Sequence, residues 1–206
     1  MKNLKTILTL IFTVLVLTGA SFSQQGVSLG IEGGLNLANA NLKPTLNNGS
    51  KTGFMVGGFV DIGFSKYVSI KPAIRYITKG FEIRNNFGVT YTENLSYIEF
   101  PMLINVNLPL NQVKPYFELG PTLGIQLSAS EEATDGVNFQ ENDVSTAYES
   151  IDFGLYFGSG MEFKVADKTD LFTGIGYSLG FSNILKGTIT AKNNGFRFTA
   201  GVKFGL

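Results

Sequence analysis

The residues in this chain that could do chemistry are carboxylates and cations scattered at alternate positions among small and apolar neighbours. Glu32, Asp61, Glu99, Glu118, Asp152 and Glu162 are the acids, and Lys71, Arg75, Lys79, Lys164, Arg197 and Lys203 the bases. A pair such as Glu99 and Glu118 could act as general acid and base, but carboxylates interleaved with lysines are better explained as ion pairs. The 206 residues include no histidine and no cysteine. Imidazole activation of a serine or a water is therefore closed to the chain, as are thiolate chemistry and disulfides. Metal-ligand spacing is lacking, and the Gly-x-Gly pairs sit inside extended segments rather than at strand-to-helix turns, which is not how phosphate loops are built. No enzymatic activity, cofactor or metal is expected. Sixteen basic residues balance sixteen acidic ones, so no charge excess is left to neutralise phosphates and no nucleic-acid partner is expected.

These charges must be positioned by a set of eight two-faced segments. In the last of them, Phe196, Phe198, Ala200, Val202, Phe204 and Leu206 share one face, while Arg197, Thr199, Gly201, Lys203 and Gly205 share the other. Side chains alternate across a strand, so one side of this strand is hydrocarbon and the other small or charged. The same pattern recurs in about 26–37, 53–64, 68–80, 95–108, 115–127, 149–165 and 171–181. No charge falls on the apolar face of any of them, where an Arg or Lys at a bilayer midplane would cost roughly 2–4 kcal/mol. About ten residues per strand, tilted by ~45°, span an apolar band of ~25 Å.

A soluble barrel turned inside out would show the same alternation, but its outer face would be rich in Lys, Glu and Thr. Here that face is crowded with glycine, of which the chain has 25. Small residues and self-pairing charges are what a narrow lumen accepts. The expected fold is all-β: an eight-stranded antiparallel transmembrane up-and-down β-barrel. Connections at about 38–52, 81–94, 128–148 and 183–195 are long, and those near 65–67, 109–114 and 166–170 are short. Asn47-Asn48-Gly49 is the turn signal of the first. Long loops outside the cell and short turns in the periplasm give this alternation. Pro72, Pro101 and Pro121 each remove a ladder donor, so bulges or lumen water are expected there. Phe54, Phe153, Phe181 and Phe196 fall toward one rim and Phe64, Phe117, Phe163 and Phe204 toward the other, as interfacial girdles would.

Ahead of the barrel, Lys2 and Lys5 precede an apolar run from Ile7 to Leu17, and Ser21-Phe22-Ser23 offers small residues for a signal peptidase. Residues 1–23 are expected to be a cleaved signal peptide, and 24–206 the barrel domain. The run is too short for a spanning helix, and no cysteine is present to carry a lipid anchor.

The twelve charges, six of each sign, allow two readings of the lumen. They can form a structural ion-pair network that fills it, or they can line a narrow polar conduit. Eight strands leave room only for side chains, which favours the first. The stretch 128–148 is acidic, with Glu131, Glu132, Asp135, Glu141 and Asp143. It could bind divalent cations bridging lipopolysaccharide, dock a basic partner, or simply stay solvated.

Tyr97-Ile98-Glu99-Phe100-Pro101-Met102-Leu103-Ile104 and Lys114-Pro115-Tyr116-Phe117-Glu118-Leu119-Gly120-Pro121-Thr122-Leu123-Gly124 resemble the outer-membrane β-barrel family common in Bacteroidetes, the PorT-like or "porin family" proteins. The resemblance runs over the whole mature chain and implies an outer-membrane location and a barrel of OmpA/OmpX-like size. It also implies contact with outer-membrane lipid, lipopolysaccharide and the barrel-assembly machinery. Thr199, Gly201, Phe204 and Leu206 resemble the terminal signal that this machinery reads, with Leu206 where many such proteins carry Phe. A structural or surface-binding role is expected. The alternatives are a narrow porin for small solutes and an accessory subunit of a secretion or gliding complex with an unknown partner.

Overall fold

The computed structural model describes residues 26–206 apart from 45–47, 86–87, 109, 111–112 and 137; the expected signal peptide, residues 1–23, lies outside the described residues. Period-two alternation with β-branched and aromatic residues on the apolar face favours strands. Among the described residues the chain forms nine: β1 (Val27–Lys43), β2 (Asn48–Gly63), β3 (Val68–Arg84), β4 (Thr90–Asn107), β5 (Val113–Thr134), β6 (Phe139–Asp143), β7 (Ile151–Ala166), β8 (Thr169–Gly180) and β9 (Thr190–Gly205). Eight of these close into a ring in which every neighbour is antiparallel. β4 pairs with β5, β5 with β7, and β1 pairs with both β2 and β9. The β1–β9 seam is long, from Ser28 opposite Gly205 to Lys43 opposite Thr190. β6 stands outside the ring as a hairpin on the far end of β5.

The apolar faces point outward. Ile31, Phe117, Leu119, Phe157 and Ile175 are exposed, while Glu32, Glu118, Tyr156 and Arg197 on the opposite faces are buried. Aromatic contacts mark the rim on the long-loop side, where Tyr177 packs on Phe196 at 4.9 Å and Phe153 on Phe181 at 6.2 Å.

Much of two expected loops is strand. Residues 38–43, 48–52, 81–84 and 90–94 continue β1 to β4 well past this rim. A tilted strand needs only about 9–11 residues to cross a bilayer, whereas β1 has 17 and β5 has 22. Beyond the lipid no apolar face is demanded, so the alternation fades while the backbone ladder goes on. Asn48 and Gly49, read as a turn, pair with Ile83 and Glu82; Asn47 lies outside the described residues. The acidic stretch also has regular structure among its described residues. β5 runs on to Thr134, the Asp135 carboxylate accepts from the Asn138 N–H at 2.7 Å, and the Asp143 carboxylate accepts from the Ser145 N–H at 2.8 Å to start a 3-10 turn over Ser145–Ala147.

The prolines do not make bulges. Pairing resumes in the same register on either side, from Pro72 opposite Met102 to Arg75 opposite Glu99, and from Pro101 opposite Thr122 to Ile104 opposite Leu119. The ladder omits pairs instead of shifting. Shifts occur elsewhere, between Ser50 and Met55 and between Ser96 and Tyr97.

Candidate functional site

The lumen is filled in layers, and each layer follows from which inward positions are charged, aromatic or glycine. At the short-turn end, Lys203 on β9 lies 3.2 Å from Asp61 on β2 and 2.5 Å from Glu162 on β7. Phe59, Tyr116 and Phe172 form an aromatic layer above it, with the Lys71 ammonium 4.4 Å from the Phe59 ring centre. Inward glycines make room for these rings. A methyl group at Gly30 would overlap Phe59, and one at Gly201 would overlap Phe172.

The central layer joins four acids to four bases. Lys71 lies 3.3 Å from both Glu118 and Glu32, and Arg75 Nε donates to Glu32 at 2.6 Å. Arg197 clasps Glu99 through two parallel bonds of 2.7 and 2.8 Å, the bidentate geometry that makes Arg–carboxylate pairs strong. Lys79 bridges Glu99 at 3.2 Å and Asp152 at 2.9 Å. The Tyr156 ring lies 5.8 and 5.3 Å from the guanidinium carbons of Arg75 and Arg197, within cation–π reach. Its hydroxyl fits against Gly158 and Gly176, where a side chain would clash. A cavity of about 10 Å³ remains between Asn36, Lys79, Thr122, Asp152, Asn193 and Arg197, the room of a single water.

The structure thus brings eleven of the twelve sequence-picked charges into one interior, every one of them buried. Lys164 is the exception. Parity points it inward, but it stands at the end of β7, one residue past the last β5 partner and just before the β7–β8 register slips at Ala166. Its side chain is 48% exposed, with Nζ 3.6 Å from Asp167. At the same mouth Lys114, read as part of a short connection, bonds Asp170 at 2.8 Å. Among the described residues, six buried carboxylates therefore face five buried cations.

At the other end the lumen is closed by hydrocarbon. Met55, Ile77, Phe81, Leu95 and Tyr97 line the upper barrel, and Tyr148 and Ile184 descend on them from two loops. Those loops are tied together by the Tyr148–Leu185 bridge and by the Glu149 N–H donating to the Ile184 carbonyl at 2.8 Å. Sequence reasoning missed this cap; its one signal is an apolar Ile184-Leu185 pair set in a polar loop. Beside it, past the aromatic rim, Glu93 stands opposite Glu131. Burial pushes the Glu93 carboxyl up to about 7, a hydrogen bond with Tyr148 offsets part of the rise, and the Glu131 charge adds to it. Glu132, opposite Glu141 on β6, accepts from Asn94 at 2.7 Å, and no metal-holding group of acidic residues occurs among the described residues.

Of the four terminal residues, Thr199 and Gly201 face the lumen and Phe204 faces outward; the Leu206 N–H donates to the Val27 carbonyl at 2.9 Å.

A filled, charge-paired interior inside an apolar exterior is the architecture of small membrane barrels. The fold is similar to Neisserial surface protein A, with a TM-score of 0.52 and 16% identity over 89% of this chain and 99% of that one. It is also similar to the outer membrane protein OprG from Pseudomonas aeruginosa, with a TM-score of 0.53 and 11% identity over 90% and 98%. At these identities the likeness shows the fold alone. No curated protein matches the chain. The outer membrane protein beta-barrel domain family matches residues 22–186. With most of its length matched, this chain belongs to the outer membrane protein beta-barrel domain family.

Proposed function

We propose that this protein is a closed, non-catalytic outer-membrane barrel whose work lies in supporting the membrane and binding at the cell surface. The observation that carries this reading is the filled lumen: ion pairs through the middle, hydrocarbon across the outer end, and a central cavity of about 10 Å³. A solute would have to displace a buried charge network, and breaking such pairs one at a time costs about 3–5 kcal/mol. The strands that rise past the aromatic rim and the exposed β6 hairpin with Phe139 at its edge support a surface role. Residues 1–23 act as the cleaved export signal, and Thr199, Gly201, Phe204 and Leu206 as the mark read by the assembly machinery. Lipid and lipopolysaccharide contact the apolar belt. Kinship with the PorT-like proteins fits the strand-four and strand-five motifs.

Planar-bilayer recording of the refolded barrel tests the reading, which requires no steady conductance. A steady conductance that falls on substituting Glu118 or Arg75 would establish a narrow porin instead.

A further inference from the structure

Strand β6 stands outside the ring and is held from one side only. Its five residues, Phe139–Asp143, pair with the end of β5 and with no other strand among the described residues, and all five are exposed. One hydrogen bond fixes which way its free backbone points. The Val144 N–H donates to the Ala129 carbonyl at 3.0 Å, and antiparallel ladders alternate between bonded and unbonded pairs. Asn142 and Gln140 therefore turn their backbone groups to β5, while Phe139, Glu141 and Asp143 turn theirs to the open side. An exposed edge of this kind is a template for one more strand.

The side chains along the edge select what adds to it. Phe139, Glu141 and Asp143 share one face, on which Glu132 stands directly opposite Glu141. Phe139 is 65% exposed. Among the described residues no cation forms an ion pair with Glu132, Glu141 or Asp143: Lys51 acts on Glu132 without touching it, and Lys186 bonds the Thr146 carbonyl at 3.1 Å. A second copy of the chain is a poor partner. Antiparallel pairing of two β6 strands about their centres sets Glu141 against Glu141, and like charges directly opposite are destabilising. An added strand with cations at alternate positions meets the reverse situation.

We propose, resting on the surface-binding role given to the barrel, that the open edge of β6 captures an extended basic segment of another polypeptide as an added strand. The backbone of that segment completes the ladder on Phe139, Glu141 and Asp143. Its lysines or arginines lie beside Glu141 and Asp143, and an apolar side chain covers Phe139. Main-chain bonds hold an extended segment of any sequence, and the carboxylates choose the basic one.

The test uses the full barrel refolded in zwitterionic micelles and a short fluorescent peptide alternating lysine and threonine, with binding read by anisotropy. The peptide is expected to bind saturably and to slow hydrogen exchange at the Glu141 amide. A version N-methylated on its backbone amides keeps the charges but cannot donate to the ladder, and it should bind at least about tenfold more weakly. Glutamate in place of lysine in the peptide should abolish binding, and Glu141→Lys in the barrel should weaken it about tenfold. Equal binding of the N-methylated peptide, or no saturable binding of the lysine peptide, would overturn the proposal. Conductance of the same preparation judges the closed-barrel reading separately, so a silent barrel that ignores the peptide counts against the edge alone.

Discussion

Glu99 is the hub of the interior: Arg197, Lys79 and Arg75 all converge on it, and Arg197 has no other carboxylate partner among the described residues. Glu99→Gln should therefore destabilise the barrel by about 3–5 kcal/mol, because it strands a buried guanidinium. Adding Arg197→Met should recover most of that loss, since replacing both members of a buried pair by apolar groups is often neutral. Urea unfolding of both variants in micelles checks the pair. Packing sets a second residue-scale expectation. A methyl group at Gly30 runs first into the Phe59 ring, so Gly30→Ala should cost about 1–3 kcal/mol by overpacking; Gly30→Ala with Phe59→Leu should restore the midpoint. Parity alone places these side chains in the lumen, which is why the charged set is legible in sequence. Partnership is not legible. That Arg197 meets Glu99, 98 positions away, depends on strand tilt and stagger around the ring, and alternation carries no information about either. Lys164 departs from its expected burial because parity stops predicting burial where the wall ends.

Elements that lipid constrains were readable, and elements beyond lipid were not. The membrane-crossing parts of all eight ring strands carry an apolar stripe, whereas the extensions through Asn39–Lys43 and Asn48–Thr52 look like loop because polar and small residues stand on both faces. The Asn39–Lys43 ladder to β9 is nevertheless continuous with the wall, and Asn48–Ser50 pair with β3 on the far side of a register shift. The cap was hidden for a related reason: Tyr148 stands alone and Ile184-Leu185 is an isolated pair, neither with periodicity, and only tertiary contact reveals what they cover. Glu93 gives this element a pH dependence. Its folded-state value of about 7 lies above the ordinary 4.5, so the protonated form supports the fold. That support is full below about pH 4.5 and is lost as pH rises through about 7. Hydrogen–deuterium exchange across 144–149 and 182–186, corrected for the intrinsic rate, should show protection declining from pH 5 to pH 8. Glu93→Gln should flatten the profile.

At the scale of the molecule, the side facing hydrocarbon sets the tolerance to change. Ile31 lies midway along the membrane-crossing part of β1 and is 63% exposed, whereas Ile189 belongs to the β8–β9 loop and is 42% exposed. Ile31→Arg should lower stability in lipid vesicles by about 2–4 kcal/mol, and Ile189→Arg by little or nothing, because the penalty depends on depth in the bilayer. Urea unfolding in vesicles measures both, and equal effects would mean that the outer face does not meet lipid.

The seam between β1 and β9 carries a consequence for biogenesis. The first strand to leave the ribosome finds one of its two partners only when the final strand has been made, and until then its greasy flank and open edge have nowhere to go. The unclosed chain carries that flank and edge through any aqueous compartment it crosses, and losing the terminal strand would leave an open, sticky sheet in place of a smaller cylinder.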